Sequence, residues 1–317
     1  MKKKPMEIVH GLLPAINAQP TILTIGAFDG VHRGHQHLIG ATVRRARELG
    51  SQSAVLTFEP HPDTIIHPER TRLYLTSFEE RAELIETIGA DLLIVLPFTR
   101  AVMGLPAQEF MGQICHSIAL RELWVGWDFA LGRKREGTIG RLREIGHQLD
   151  YSVHPVDAFS LDDGSPVSST RIRDALRDGD VARAEQLLGR PYSLRGAVAQ
   201  GDQRGRTIGF PTANMQVGDE HVLPADGVYV CHATVAGQRY GAVTNVGLRP
   251  TFGGLRRTVE AYLLDFTDDI YGEVLKIELL HRLRGEQRFA GVAALVAQIT
   301  ADVTAARAWL GQHSAGR

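Results

Sequence analysis

The stretch "TIGAFDGVHRGHQHLI", Thr24 to Ile39, holds three glycines, three histidines and one aspartate between apolar flanks. The apolar run "TILTIGAF" that enters it reads as a strand. The residues from Gly34 to Leu49, closed by Gly50, read as a helix with a C-terminal glycine. A strand that passes through glycines into a helix leaves the first helical N–H groups unpaired, where the macrodipole favours negative charge. Gly30 and Gly34 let the backbone approach a phosphate closely, and His32 and His35 add side-chain donors on one side of the turn. Such a set suits displacement at phosphorus, in which the protein positions groups and stabilises charge on the equatorial oxygens. A zinc site is the weaker alternative: HxxH lacks the HExxH spacing, and no nearby cysteine or acid completes a ligand set. For HxGH alone, a plain exposed polar turn stands level with function.

Outward from this turn the first part of the chain alternates strand and helix patterns. "SAVLTF" is a second apolar run ending at "EPHPD", and Ser77 with Glu80 has capping-box spacing ahead of "RAELIETIG". "DLLIVLPF" and "ELWVGWDF" follow as strands around a helical segment from Pro106 to Ala119. Their nearly continuous apolar character is expected of a parallel sheet covered on both faces. The order predicts a doubly wound, Rossmann-like α/β domain. After about Gly189 the texture changes to short strands broken by Gly, Asp and Pro: "YSLRGAVAQG", "GVYVCHATVAG", "RYGAVTNVG", "TVEAYLLDF" and "VLKIELL". In the last, Lys276 and Glu278 alternate with Leu275, Ile277 and Leu279, as in a half-buried antiparallel strand. These predict a small barrel or sandwich. A C-terminal helix with Phe289, Val292, Leu295, Ile299 and Val303 on one face should pack on it. We therefore expect two domains, residues 1–187 and 188–317.

The 317-residue length agrees with two domains. A formal net charge of −1 gives no footprint for nucleic acid or a membrane surface. Two cysteines, Cys115 and Cys231, far apart and outside any CxxC pair, fit a reducing cytoplasm. The opening "MKKKPMEIVHGLLPAIN" is no signal peptide, since Glu7, His10 and Pro14 interrupt its apolar stretch; an edge segment is the simple reading. No apolar run approaches the ~18 residues of a membrane span.

A second segment, "PVSSTRIRDAL" (166–176), adds chemistry. Ser168, Ser169 and Thr170 are N-cap residue types, while Arg171 and Arg173 oppose the usual first-turn preference for acids. Cations there make sense if a polyphosphate arrives to neutralise them. Two phosphate-ready helix starts are what a nucleotidyltransferase needs.

"GAFDGVHRGH" with "SSTRIR" resembles the HxGH nucleotidyltransferases. The fuller set "FDGVHRGHQHLI", "LTFEPHPD", "VGWDFALGRKREG" and "VSSTRIRDAL" is similar to the adenylyltransferase module of bacterial bifunctional riboflavin kinase/FAD synthetases. The resemblance implies that His32 and His35 stabilise the adenylyl transition state. It implies ATP contacts at Gly26, Phe28, Asp29, Gly34, Ser168 and Ser169, with Thr170 and Arg171 on the β/γ-phosphates and Asp128 near the FMN–ATP junction. Ala27 replaces the family's usual Asn or Ser, and Leu131 its usual Phe.

Farther on, "GDQRGRTIGFPTAN" (201–214) lacks the GK[ST] ending of a Walker loop. Its Thr212 and Asn214 are oxygen donors suited to Mg²⁺ shared with nucleotide phosphates; a glycine-rich hairpin before an edge strand is the favoured reading of the segment by itself. "NVGLRPTFGG" reads as another Gly/Pro-rich turn, and Glu260 by chemistry alone is a weak general-base candidate. These segments, with "VEAYLLDF", "IYGEVL" and "LRGEQRF", resemble the riboflavin kinase module of the same enzymes, a six-stranded Greek-key barrel with a C-terminal helix. The resemblance implies that Thr212 and Asn214 bind Mg²⁺–ATP under a loop containing Gly201. It makes Glu260 the base that takes the proton of the ribityl 5′-hydroxyl, and Arg284 a contact near the flavin. Tyr262 stands where the family commonly has His. The expected ligands are thus riboflavin, FMN, FAD, ATP and Mg²⁺, with no nucleic acid and no membrane. Two rival readings are carried forward: a chain with one active module, and a flavin- or nucleotide-sensing protein on the same scaffold.

Overall fold

In the computed structural model the chain is described over residues 5–12, 17–70, 73–200, 204–251 and 254–313. It divides into two compact units, Met1–Ser169 and Thr170–Arg317.

The elements of the first unit are β1 (Glu7–His10), β2 (Asn17–Ile25), α1 (Arg33–Glu48), β3 (Gln52–Phe58), α2 (Pro62–Ile66), α3 (Phe78–Ile88), β4 (Leu92–Leu96), α4 (Arg100–Gly104), α5 (Ala107–Ser117), β5 (Ile118–Gly126), β6 (Ala130–Leu131), β7 (Gly137–Thr138), α6 (Ile139–Leu149) and β8 (Ser152–Val156). Six strands form one parallel sheet in the order β1-β4-β3-β2-β5-β8. Alternate residues serve opposite faces. Ala54, Leu56, Leu92 and Ile94 pack with Phe110, Met111, Leu142 and Ile145 of α5 and α6. Val55, Leu93 and Val95 pack with Ile39, Val43, Ala82 and Ile85 of α1 and α3. Cover on both faces is why these strands read as unbroken apolar runs. The Ser77–Glu80 capping box forms as expected, and Gly89 ends α3 in the left-handed region. Glu7–His10 is an edge strand on β4. The chain order reverses between β2 and β5, so the crevice beyond their carboxyl ends is the topological switch point.

The second unit contains most of α7 (Ser169–Asp178), then α8 (Val181–Leu188), β9 (Tyr192–Ala199), α9 (Arg204–Thr207), β10 (Ala213–Gln216), β11 (Gly227–Val235), β12 (Gln238–Thr251), β13 (Gly254–Leu263), β14 (Val274–Arg284) and α10 (Val292–His313). Its strands close into an antiparallel barrel, β10-β13-β12-β11-β14-β9. Leu275, Ile277 and Leu279 of β14 are wholly buried, while Lys276 and Glu278 between them are partly exposed. Each such aliphatic contributes about 1.5–3 kcal/mol by burial. Helix α10 lays Val303, Ala306, Trp309 and Leu310 against Val228, Val230, Val243 and Tyr262.

Several boundaries differ from expectation. The helix predicted to Ala119 stops at Ser117, because Ile118 and Ala119 already pair with β2. Phe289 precedes α10 rather than lying on its face. "NVGLRPT" is no turn: it is the second half of β12, paired with β13 through Thr251↔Gly254. Its proline sits where the hairpin ends, a place that tolerates the missing donor. The compact units divide at Ser169/Thr170, since α7 and α8 pack with the barrel. Ala225 N–H donates to Leu176 O at 2.8 Å, Arg282 Nη1 to Asp178 O at 3.2 Å, and α8 lies against β9 and β14.

Candidate active sites

The first site forms where β2 gives way to α1. His32 is the N-cap of α1, and its Nδ1 accepts the N–H of His35 at 3.3 Å. An accepting Nδ1 places the neutral ring's proton on Nε2, which makes that edge the donor. The His32 and His35 rings stack 3.5 Å apart at 18°, and Phe28 meets His35 edge-on at 5.2 Å. The first turn of α1 holds no acid, so no side chain competes with an anion there. A β-carbon on Gly34 would stand 3.2 Å from His32 Cε1 and 3.2 Å from Nδ1. The glycine of HxGH thus makes room for the first histidine's own ring.

Neighbours tune this pair. The His35 Nδ1 is buried without a hydrogen-bond partner. Its pKa lies well below the ordinary histidine value, through burial first and then the nearby His32, His61 and Arg81. His35 is therefore neutral at physiological pH, a hydrogen-bonding imidazole rather than a cation. Arg81, 1% exposed, donates to Ala27 O at 3.2 Å and Phe58 O at 3.5 Å and pairs with Glu59. It ties the turn after β2 to the end of β3. Ser169 Oγ donates to Asp29 O at 3.0 Å, bringing "VSS" beside the turn.

The surroundings of three expected nucleotide contacts are as follows. Asp29 is 1% exposed and its Oδ1 accepts Leu75 N–H at 2.9 Å, so its carboxylate braces the turn. Phe28, at φ 52°, buries its ring in the core and over Gly26, where a β-carbon would lie 2.8 Å from Phe28 Cζ. Asp128 is exposed in the turn after β5. At the two departures from the family pattern, the Ala27 carbonyl is held by Arg81 and by Thr57 Oγ1 at 3.1 Å, and Leu131 packs against the core. Thr170 and Arg171 open the first turn of α7.

The second site is on the barrel. Asn214 of β10 and Asn245 of β12 are both directly opposite Glu260 of β13, so the three side chains form one row on one face. Ala213 and Ala261, one step along, face the other way and line a cleft of about 170 Å³ with Pro211, Thr212, Phe266 and Tyr271. Thr212 lines that cleft and stands two residues before Asn214. Tyr262 meets Phe210 edge-on at 5.4 Å and packs under α10. Gly201 lies outside the described residues. Arg284, expected near the flavin, holds Asp302 of α10 with bonds of 3.0, 3.1 and 2.7 Å. Its guanidinium anchors that helix.

Sequence reasoning missed His61, Arg81 and Asn245. Arg81 was discoverable, since it lies four residues before Ile85 on the buried stripe of α3, where an unpaired charge is not tolerated. Asn245 lies in the run "RYGAVTNVG" read as a strand, but only register sets it opposite Glu260. The thiols of Cys115 and Cys231 are pushed up by burial to about 11 and about 12, which removes them from nucleophilic chemistry.

A paired-imidazole anion turn at the switch point of a parallel sheet, followed by a barrel bearing an Asn–Glu–Asn row, defines a two-module phosphate-transferring enzyme. The family model for FAD synthetase matches residues 15–171 and that for riboflavin kinase residues 188–310. Bifunctional riboflavin kinase/FMN adenylyltransferases are similar along the chain. The Escherichia coli K12 protein is 36% identical over 96% of this chain and 98% of its own, and the Pseudomonas fluorescens protein 39% over 96% and 97%. A crystal structure described as a macrolide-efflux protein from Streptococcus pneumoniae is 33% identical, with a TM-score of 0.87 over 95% of this chain and 99% of its own. No helix among the described residues is long and apolar enough to cross a membrane. The chain belongs to the bifunctional riboflavin kinase/FMN adenylyltransferase family. It phosphorylates riboflavin to FMN with ATP through its C-terminal module and adenylylates FMN to FAD through its N-terminal module.

Proposed function

We propose the following residue roles for the two reactions. In adenylyl transfer, the α1 amides and His32 Nε2–H donate to the nucleotide phosphate under attack, with neutral His35 stacked behind as second donor. The stacked rings at the helix start carry this reading, since they set two donors at one point without a like-charge penalty. Backbone at Gly26 and Gly34 and the hydroxyls of Ser168 and Ser169 complete the cradle. Thr170 and Arg171 take the β/γ-phosphates, so the functional module extends to about residue 187 although α7 and α8 pack with the barrel. Asp128 borders the FMN.

In the kinase reaction, Glu260 accepts the 5′-hydroxyl proton of riboflavin as that oxygen attacks the γ-phosphate. Among the described residues no cluster of three His, Cys, Asp or Glu forms a metal cage. Asn214, directly opposite Glu260, and Thr212, in the neighbouring cleft, are neutral oxygen donors of the kind suited to Mg²⁺ held mainly by phosphates. The ion would neutralise phosphate charge there. The free thiols support a cytoplasmic home.

The test is a chromatographic time course with riboflavin, ATP and Mg²⁺. Native protein should make FMN and then FAD. Glu260→Gln should lower FMN formation by about 10²–10⁴-fold yet still convert supplied FMN. His32→Asn and His35→Asn should do the reverse, and joint loss of both activities in either set would contradict these roles.

A further inference from the structure

The crevice beyond β2 and β5 has two sides. Thr24 pairs with Trp124, so Gly26 and Gly126 leave the sheet level with each other on adjacent strands. The β2 side carries the α1 amides and both imidazoles. The β5 side carries Trp127, which is 59% exposed. The other two tryptophans are occupied: Trp124 stacks on His154 at 5.3 Å, and Trp309 on His313 at 4.0 Å.

The backbone that carries Trp127 is braced. It sits at the first corner of a turn closed by Phe129 N–H to Gly126 O at 3.0 Å, and Arg135 Nη2 donates to Asp128 O at 3.1 Å. The β6–β7 hairpin behind it is fastened to the start of α5 by Arg133 N–H to Leu105 O at 2.8 Å and Ala107 N–H to Glu136 Oε1 at 3.0 Å. β-Carbons on Gly132 or Gly137 would lie 2.8 Å from Ala107 N and 2.7 Å from Ala107 Cβ, so the hairpin sits tight against that helix. A large aromatic face presented by a braced turn is a pre-organised surface for a planar ligand.

We propose that Trp127 is the stacking platform for the isoalloxazine ring of FMN during adenylyl transfer, a specificity residue that rests on the β2–β5 crevice being that reaction's site. In-line displacement brings the acceptor to the α-phosphorus from the side opposite the departing pyrophosphate. The triphosphate is gathered on the β2 side, which leaves the β5 side to the acceptor. Its tricyclic ring offers more area to an indole than adenine does.

The experiment compares steady-state adenylylation of FMN by native protein, Trp127→Ala and Trp127→Phe, with riboflavin phosphorylation as control. Trp127→Ala should raise the KM for FMN about tenfold, in the range stacking on an aromatic side chain provides. The KM for ATP and the kinase rate should change less than about twofold, and Trp127→Phe should recover most of the loss. An unchanged KM for FMN overturns the proposal. So does a rise confined to ATP, which would give the indole to adenine. Failure of native protein to make FAD from supplied FMN would instead sink the site reading beneath it.

Discussion

Replacing Gly34 by alanine adds one methyl group at the second residue of α1, with two opposed local effects. Position 34 is not in the left-handed region, so alanine is favoured by up to about 0.5–1 kcal/mol in backbone entropy. Against that, the new carbon would stand 3.2 Å from two atoms of the His32 ring, short of the ~3.5–4.0 Å optimum. The ring cannot retreat toward His35, already stacked at 3.5 Å. It must swing aside, weakening the 3.3 Å cap bond from His35 N–H to Nδ1 at a cost of about 1 kcal/mol. The two effects nearly cancel, and the variant should fold with stability within about 1 kcal/mol of native.

Catalysis has no such compensation. A swing of about half an ångström moves the Nε2 donor off the oxygen on which charge develops. Losing one such donor costs about 10²–10³-fold, and a 1 Å misplacement about 10²-fold, so roughly 10–100-fold in kcat is expected for the partial shift. FAD formation from FMN under saturating ATP measures this, and riboflavin phosphorylation by the same sample confirms an intact preparation. A folded Gly34→Ala protein with adenylylation within twofold of native would refute the placement of His32 as a working donor.

The lowered pKa of His35 makes a pH prediction. Unfolded, the ring binds protons with its ordinary value of about 6.5, so the unfolded chain takes up a proton that the folded one rejects. Stability of the first unit is complete above about pH 7 and declines as pH falls through 6.5 toward the folded value. Hydrogen-exchange protection of β2 and α1 should drop across that range, and His35→Asn should flatten the slope; equal slopes would exclude His35 as its origin. In the second unit, Arg284 and Asp302 are 17% and 7% exposed at their side chains. Asp302→Asn leaves a largely buried guanidinium uncompensated and should destabilise the barrel by about 3 kcal/mol by urea denaturation, with the KM for riboflavin unchanged. A raised KM at full stability would restore Arg284 as a flavin contact.

What the chain reveals by reading depends on how local the cause is. The HxGH turn is legible because strand, glycines and helix start are contiguous, and the capping box at Ser77 is legible because its partners are three residues apart. The barrel row is not, since Asn214, Asn245 and Glu260 come from three separate strands and meet only through register. The length of β12 was hidden because Gly247 and Pro250 imitate a turn inside it. The bracing bond of Asp29 was hidden, like the row, by separation along the chain. Its neighbours suggest a ligand contact, and its hydrogen-bond partner Leu75 lies 46 residues away.

The two sites perform opposite halves of one kind of chemistry, and their side chains differ accordingly. FMN arrives as a phosphate largely ionised near pH 7, with a second pKa near 6 as for other phosphate monoesters. Its attacking oxygen has no proton to lose, so the first site needs donors and positive potential but no base. The structure agrees in the disposition of its carboxylates. Asp29 is spent on a backbone N–H, and Glu59 on Arg81, whose charge stays buried behind the turn. Riboflavin arrives as an alcohol, so the second site requires a group to take a proton as the bond to phosphorus forms. Glu260, the base proposed above, is flanked by two amides that neither add charge nor compete for the proton. A sensor that only bound both flavins and ATP would have no reason to keep the carboxylate in one module and withdraw it in the other.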